Sequence, residues 1–167
     1  MKLLACLLVI AICGYIGRLM SKKTAQRLDF FREYHSSLIN LSDRIVGMNL
    51  ELCKALEASG SGQVRLFFGK CSKTLKRSPR TSFKSIWDEN FESFKLTYLS
   101  REDVSVVSSG GDAIESLCMN PSEKQAHTYI KRLSGYMDSL EAEKRKKCKL
   151  YNTSGMLTGL LIALLMI

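Results

Sequence analysis

Histidine is nearly missing from this chain, with only His35 and His127 in 167 residues. Six cysteines are present, but none lies in a CxxC pair, and Cys53, Cys71, Cys118 and Cys148 are far apart. Tetrahedral zinc needs clustered Cys and His ligands at short spacing, and no such set can be assembled here. A disulfide scaffold has no better support, so the thiols read as reduced, small apolar side chains. Also missing are a nucleophile elbow, a glycine-rich phosphate loop and any spaced partner for either histidine. Gly110-Gly111 reads as a turn, and Asp88, Glu89 and Glu92 beside Trp87 read as a solvated face. The chain therefore reads as a protein without catalysis, cofactor or metal. No alternating stretch of strand length occurs, which leaves an all-α fold.

Charge of one sign is absent from two stretches. Between Glu57 and Asp88 there is no acid, while Lys70, Lys73, Lys76, Arg77, Arg80 and Lys84 follow one another. Of these, Lys73, Lys76, Arg77 and Arg80 form a candidate partner face. Anionic lipid is one match for such a patch, at about 1 kcal/mol per cation near a membrane surface; an acidic protein is the other. Nucleic acid would need a reading module, and none is recognisable. The second stretch is the C-terminus, where eighteen residues from Leu150 to Ile167 carry no charge at all.

What those eighteen residues do have is Leu, Ile and Met. As a helix rising ~1.5 Å per residue they reach ~27 Å, close to the ~30 Å hydrocarbon core of a bilayer. Each central Leu or Ile favours insertion by roughly 0.3–0.6 kcal/mol. The N-terminal run from Leu3 to Gly17, extended by Leu19 and Met20 with Arg18 snorkelling, also spans. Its rival is a cleaved signal peptide with a weak site at Ala11-Ile12-Cys13. A cleaved lipid-anchor tail is a poor fit, because Asn152-Thr153-Ser154-Gly155 runs straight into the apolar stretch without a polar spacer. Arg18, Lys22 and Lys23 follow the first run, and Lys144, Arg145, Lys146, Lys147 and Lys149 precede the second. Cytoplasmic flanks collect cations. The expected topology is thus a membrane hairpin, with helices at 1–20 and 150–167 around a cytoplasmic bundle at 21–149. Gly155 and Gly159 form a GxxxG step that would pack against Gly14 or Gly17.

Within the middle, apolar residues recur at steps of three and four from Leu28 through Phe31, Tyr34, Leu38, Leu41, Ile45, Met48, Leu52 and Leu56. This stripe predicts one long helix continuing from the first membrane segment and ending at Ser59-Gly60-Ser61-Gly62. Helices are also expected over Val64–Leu75, from about Ser82, from the cap signature Ser100-Arg101-Glu102-Asp103 to Gly110-Gly111, and over Asp112–Cys118. Asn120-Pro121-Ser122-Glu123 reads as the start of the last helix, which pairs antiparallel with the first. That makes about six helices.

With this layout in place, the chain resembles the stage III sporulation protein AB family of endospore-forming bacteria. The likeness lies in RLMSKKTAQRLDFFREYHSSLINL near the start, LSREDV, the glycine pair, Gln125 and KRKKCKLYNTSGMLTGLLIALLMI at the end. Leu117-Cys118 and Pro121 depart from the family pattern ahead of the glutamine. The resemblance implies a helical domain similar to that of the type II secretion platform protein, held between two membrane helices. It further implies a channel-like complex in the mother-cell membrane around the forespore, with a secretion-type ATPase and other membrane proteins of that complex as partners. The role would be that of a scaffold, with neither nucleic acid nor small-molecule substrate. An anchored basic module binding anionic lipid or nucleic acid is the alternative.

Overall fold

The structure, a computed structural model, describes residues 2–94, 96–120 and 124–166. Side chains are described from Lys22 to Lys147 within those ranges, together with Tyr15, Leu19, Leu150 and Thr153. Six helices follow in order: α1 (Lys2–Val46), α2 (Leu52–Ser59), α3 (Gly62–Arg77), α4 (Phe83–Ser93), α5 (Arg101–Met119) and α6 (Gln125–Met166). Among the described residues there is no strand, as the missing alternation requires. No helix among them is long and apolar enough to cross a membrane. At the expected packing glycines Gly14, Gly17, Gly155 and Gly159 the structure describes the helical backbone and not what packs against it, and the side chains of Arg18 and Lys149 lie outside what it describes.

The chain divides into two compact units. One comprises Met1–Leu28 and Asp138–Ile167. In it Leu28 and Leu140 are buried, and Arg27 reaches Glu143 at 3.1 Å, joining α1 to α6. Lys147 also pairs with Glu143 one turn away and Arg145 with Glu141 at 3.1 Å, while Lys22, Lys23 and Lys146 stay exposed and Lys144 is half-buried. The Glu143 carboxyl is held below its usual range, chiefly by the Lys147 hydrogen bond.

The other unit, Asp29–Met137, holds the aromatic core. Trp87 of α4 is fully buried, edge-on to Phe67 with centroids 4.6 Å apart, and it also meets Phe68, Phe83 and Tyr34. Its indole Nε1 donates to the Val107 carbonyl of α5 at 2.9 Å. Phe31 meets Tyr136 at 5.3 Å and Tyr34 meets the Tyr129 hydroxyl at 3.1 Å, so α1 and α6 run antiparallel here, as expected. Each such ring removes enough apolar area from water to contribute roughly 1.5–3 kcal/mol.

The six helices are not the six that the periodicity suggests. α1 stops at Val46, and the expected continuation through Met48 to Leu56 is a separate helix, α2. The break carries Gly47 and then Asn49 at φ 49°, a left-handed conformation that asparagine tolerates and that ends helices. Met48, in step with the apolar stripe, is 65 % exposed. Conversely, Gly110-Gly111 does not end a helix, because α5 runs through both to Met119. The glycines serve close approach instead. A Cβ at Gly110 would sit 2.0 Å from the Tyr34 hydroxyl, and one at Gly111 would sit 2.9 Å from the Trp87 ring. The Ser100 signature does open α5 with a capping box, Asp103 accepting from the Ser100 amide at 2.7 Å and, through its other oxygen, from the Tyr136 hydroxyl at 2.7 Å. The expected cap at Pro121-Ser122-Glu123 lies outside the described residues.

Neither α3 nor α4 is capped by its own preceding serine. Glu33 of α1 accepts from the Gln63 amide at 2.9 Å, at the start of α3. Glu115 of α5 accepts from the Phe83 and Lys84 amides at 3.2 and 3.3 Å, and from the Ser82 hydroxyl at 3.0 Å. Each carboxylate supplies the acceptors and the negative charge that a helix N-terminus favours. Glu115→Ala is therefore expected to lower stability by about 1 kcal/mol, within the range of lost helix caps, read as a lower urea midpoint for the full chain in non-ionic detergent. Glu115→Gln, which keeps an acceptor oxygen, should fall between.

Candidate functional site

The cationic tract takes its form from α3. Val64, Phe67, Phe68 and Cys71 recur at three- and four-residue steps and are buried, so Lys70, Lys73 and Lys76 fall toward solvent. Cys71, deep on the apolar side, has its thiol pushed up to about 12 by burial, and Cys53 is also buried and free. Both behave as the small apolar side chains expected from their spacing.

Structure divides the tract into three parts. Lys84 is withdrawn from the surface, with Nζ 3.1 Å from Asp88, 3.3 Å from Asp112 and 2.6 Å from the Ser108 carbonyl. Lys76 is engaged as well, donating to Glu57 of α2 at 2.6 Å. The same Glu57 oxygen accepts from the Ser72 hydroxyl at 2.9 Å, which fixes the carboxylate across the α2–α3 contact. The Lys76 hydrogen bond is the main reason that the Glu57 carboxyl is held below its usual range, and the Lys76 ammonium is raised in return. Both side chains remain about half exposed, so the pair organises the surface more than it stabilises the fold.

The third part is open. Lys73, Arg77 and Arg80 are exposed, and among the described residues none of them makes an ion pair. Lys70, beside them, lies 5.9 Å from the centre of the Phe94 ring. Next to Lys76 a hollow of about 390 Å³ opens between α2 and the end of α3, with Leu52, Cys53, Leu75 and Pro79 in its wall. Of the four expected face residues, then, Lys73, Arg77 and Arg80 are free for a partner and Lys76 is held by Glu57. Sequence reading missed Glu57 and Ser72, whose role depends on how α2 lies against α3. The Lys84–Asp88 pair was available from its four-residue spacing.

What the face offers chemically is three exposed guanidinium or ammonium groups that can meet an acidic partner. No group of three or more His, Cys, Asp or Glu among the described residues is placed to hold a metal ion. Comparison with curated proteins and with solved structures yields no match. Comparison with family models does: residues 2–167 fit the model of stage III sporulation protein AB. With nearly every residue inside that match and an all-helical fold behind it, the chain belongs to the stage III sporulation protein AB family.

Proposed function

We propose that the chain is a non-catalytic platform in a secretion-like complex of the sporulation apparatus. In this reading its terminal runs form a membrane hairpin in the mother-cell membrane facing the forespore. The bundle at 21–149 lies in the cytoplasm, between transmembrane helices at 1–20 and 150–167. The observation that carries the reading is continuity. α1 and α6 each run unbroken between an apolar terminal run and the helical bundle, with a cationic flank between. Two helices that each join an apolar run to a folded unit would tether that unit to a bilayer at both ends, which suits a scaffold. Gly14, Gly17, Gly155 and Gly159 are the proposed helix contacts within the hairpin. Lys73, Arg77 and Arg80 then receive an acidic surface of the secretion-type ATPase, while the juxtamembrane cations lie against anionic lipid.

The test has two arms. Thr81 is exposed between α3 and α4, which suits a single cysteine in an otherwise cysteine-free chain. That cysteine should resist an impermeant thiol reagent in intact cells and react after lysis; reaction in intact cells would turn the domain outward and remove the platform reading. Lys73→Glu with Arg77→Glu and Arg80→Glu should cut co-purification of the ATPase at least about tenfold, as loss of several interfacial charge pairs does. Unchanged co-purification with lost binding to anionic vesicles would assign the face to lipid.

A further inference from the structure

A second surface of the Asp29–Met137 unit presents carboxylates in place of cations. Between the C-terminal end of α4 and the start of α5 runs a groove of about 500 Å³, within the range of built binding sites. Phe91, Leu96, Leu99 and Val104 give it an apolar floor, and Asp88 and Glu92 are the charged groups on its rim. Val104 is 45 % exposed, whereas Val107 on the same helix is fully buried. We propose that this groove docks a cationic amphipathic helix of a partner protein.

Charge complementarity selects that occupant. In a chain of net charge +9, both described charges on this rim are carboxylates. They stand one helical turn apart on α4, where like charges cost an isolated helix about 0.2–0.5 kcal/mol. Nothing in the fold of α4 requires Glu92. Asp88 is fixed by Lys84 at 3.1 Å and by the Ser108 hydroxyl at 2.8 Å. Glu92 is exposed and makes no ion pair among the described residues. An anionic lipid headgroup would be repelled by Glu92, whose charge is not compensated as that of Asp88 is by Lys84. A helix laying apolar residues at i, i+3, i+4 and i+7 onto the floor, with lysine or arginine at its edges, meets the apolar and the charged parts together. The groove is separate from the Lys73–Arg80 face and does not depend on the platform reading.

The full chain in non-ionic detergent is titrated against a fluorescein-labelled amphipathic helix built of leucine and lysine, and against the same helix with every lysine replaced by glutamate. Fluorescence anisotropy reads binding, and detergent alone is the blank. The lysine helix should bind saturably, with the glutamate helix at least about tenfold weaker. Val104→Arg, at an exposed position, should abolish binding while the thermal unfolding curve stays that of the parent. Glu92→Lys should weaken the lysine helix about tenfold and tighten the glutamate helix. Equal affinity for the two helices, no saturable binding, or parental affinity in both variants would overturn the proposal. Self-association without added peptide that Val104→Arg removes would give the groove to a second copy of the chain, which also overturns it.

Discussion

Trp87→Ala should remove about 3–5 kcal/mol of stability, the range for deleting a large buried aromatic. The ring is fully buried against Tyr34 of α1, Phe67 and Phe68 of α3 and Phe83 of α4, with α5 close at Gly111 and Val107, so no single element can collapse into the space it leaves. For a domain whose total stability is about 5–15 kcal/mol, that loss brings unfolding close to ambient conditions. Urea unfolding of the full chain, followed by near-ultraviolet circular dichroism, would show either a much lower midpoint or no cooperative transition. Trp87→Phe separates two contributions, because it keeps a ring and loses the Nε1 donor. The Val107 carbonyl would still accept from the Tyr34 hydroxyl at 3.3 Å, so the phenylalanine variant should lose much less than the alanine variant. Similar losses in both would mean that the hydrogen bond outweighs the packing.

Gly110→Ala should also destabilise, by about 1–3 kcal/mol, as overpacking of a tight core does. The direction matters because helix propensity points the other way, alanine being favoured over glycine by about 0.8–1.0 kcal/mol inside a helix. Steric conflict wins here: the added carbon would lie 2.0 Å from the Tyr34 hydroxyl and 3.0 Å from that of Tyr129, two groups hydrogen-bonded to each other. Gly135 of α6 has nothing within 4 Å of the corresponding position, so Gly135→Ala should be stabilising. Tyr34→Phe removes the obstructing oxygen, and Gly110→Ala should cost less in that background, with a coupling of about 0.5–3 kcal/mol. Thermal melts of the four chains check this. Additive effects would show that the obstruction is elsewhere.

The way Gly110 is read, as a turn in sequence and as a contact in structure, shows how far periodicity carries. Burial was legible: Phe31, Tyr34, Leu38, Phe67, Phe68, Ile86, Trp87 and Phe91 all lie on expected apolar faces and all are buried. The Ser100–Asp103 capping box was legible too, because its partners are three residues apart at the start of one helix. Helix ends governed by distant groups were not. Met48 keeps the apolar rhythm of α1 in register across Gly47, so the spacing continues where the backbone does not. A glycine pair carries the same local signal whether it ends a helix or admits a neighbouring ring, and only Tyr34 and Trp87 decide which. The cationic face was visible as composition, whereas its division into free and engaged cations depended on Glu57, Asp112 and Ser108.

Glu33 and Glu115 give the unit a definite order of completion. The start of α4 leaves the ribosome more than thirty residues before the carboxylate that satisfies it, since Glu115 follows Phe83 by 32 positions. Until α5 is synthesised and docked, the first amides of α4 have only water as a partner, and an eleven-residue helix is marginal in water by itself. α3 differs, because Glu33 has already emerged when Gln63 appears. During synthesis the first half of the unit can therefore close on itself while the second half waits for its own distant end. The nascent chain passes through a stage in which α4 and its aromatic face, Trp87 included, are made but not yet secured.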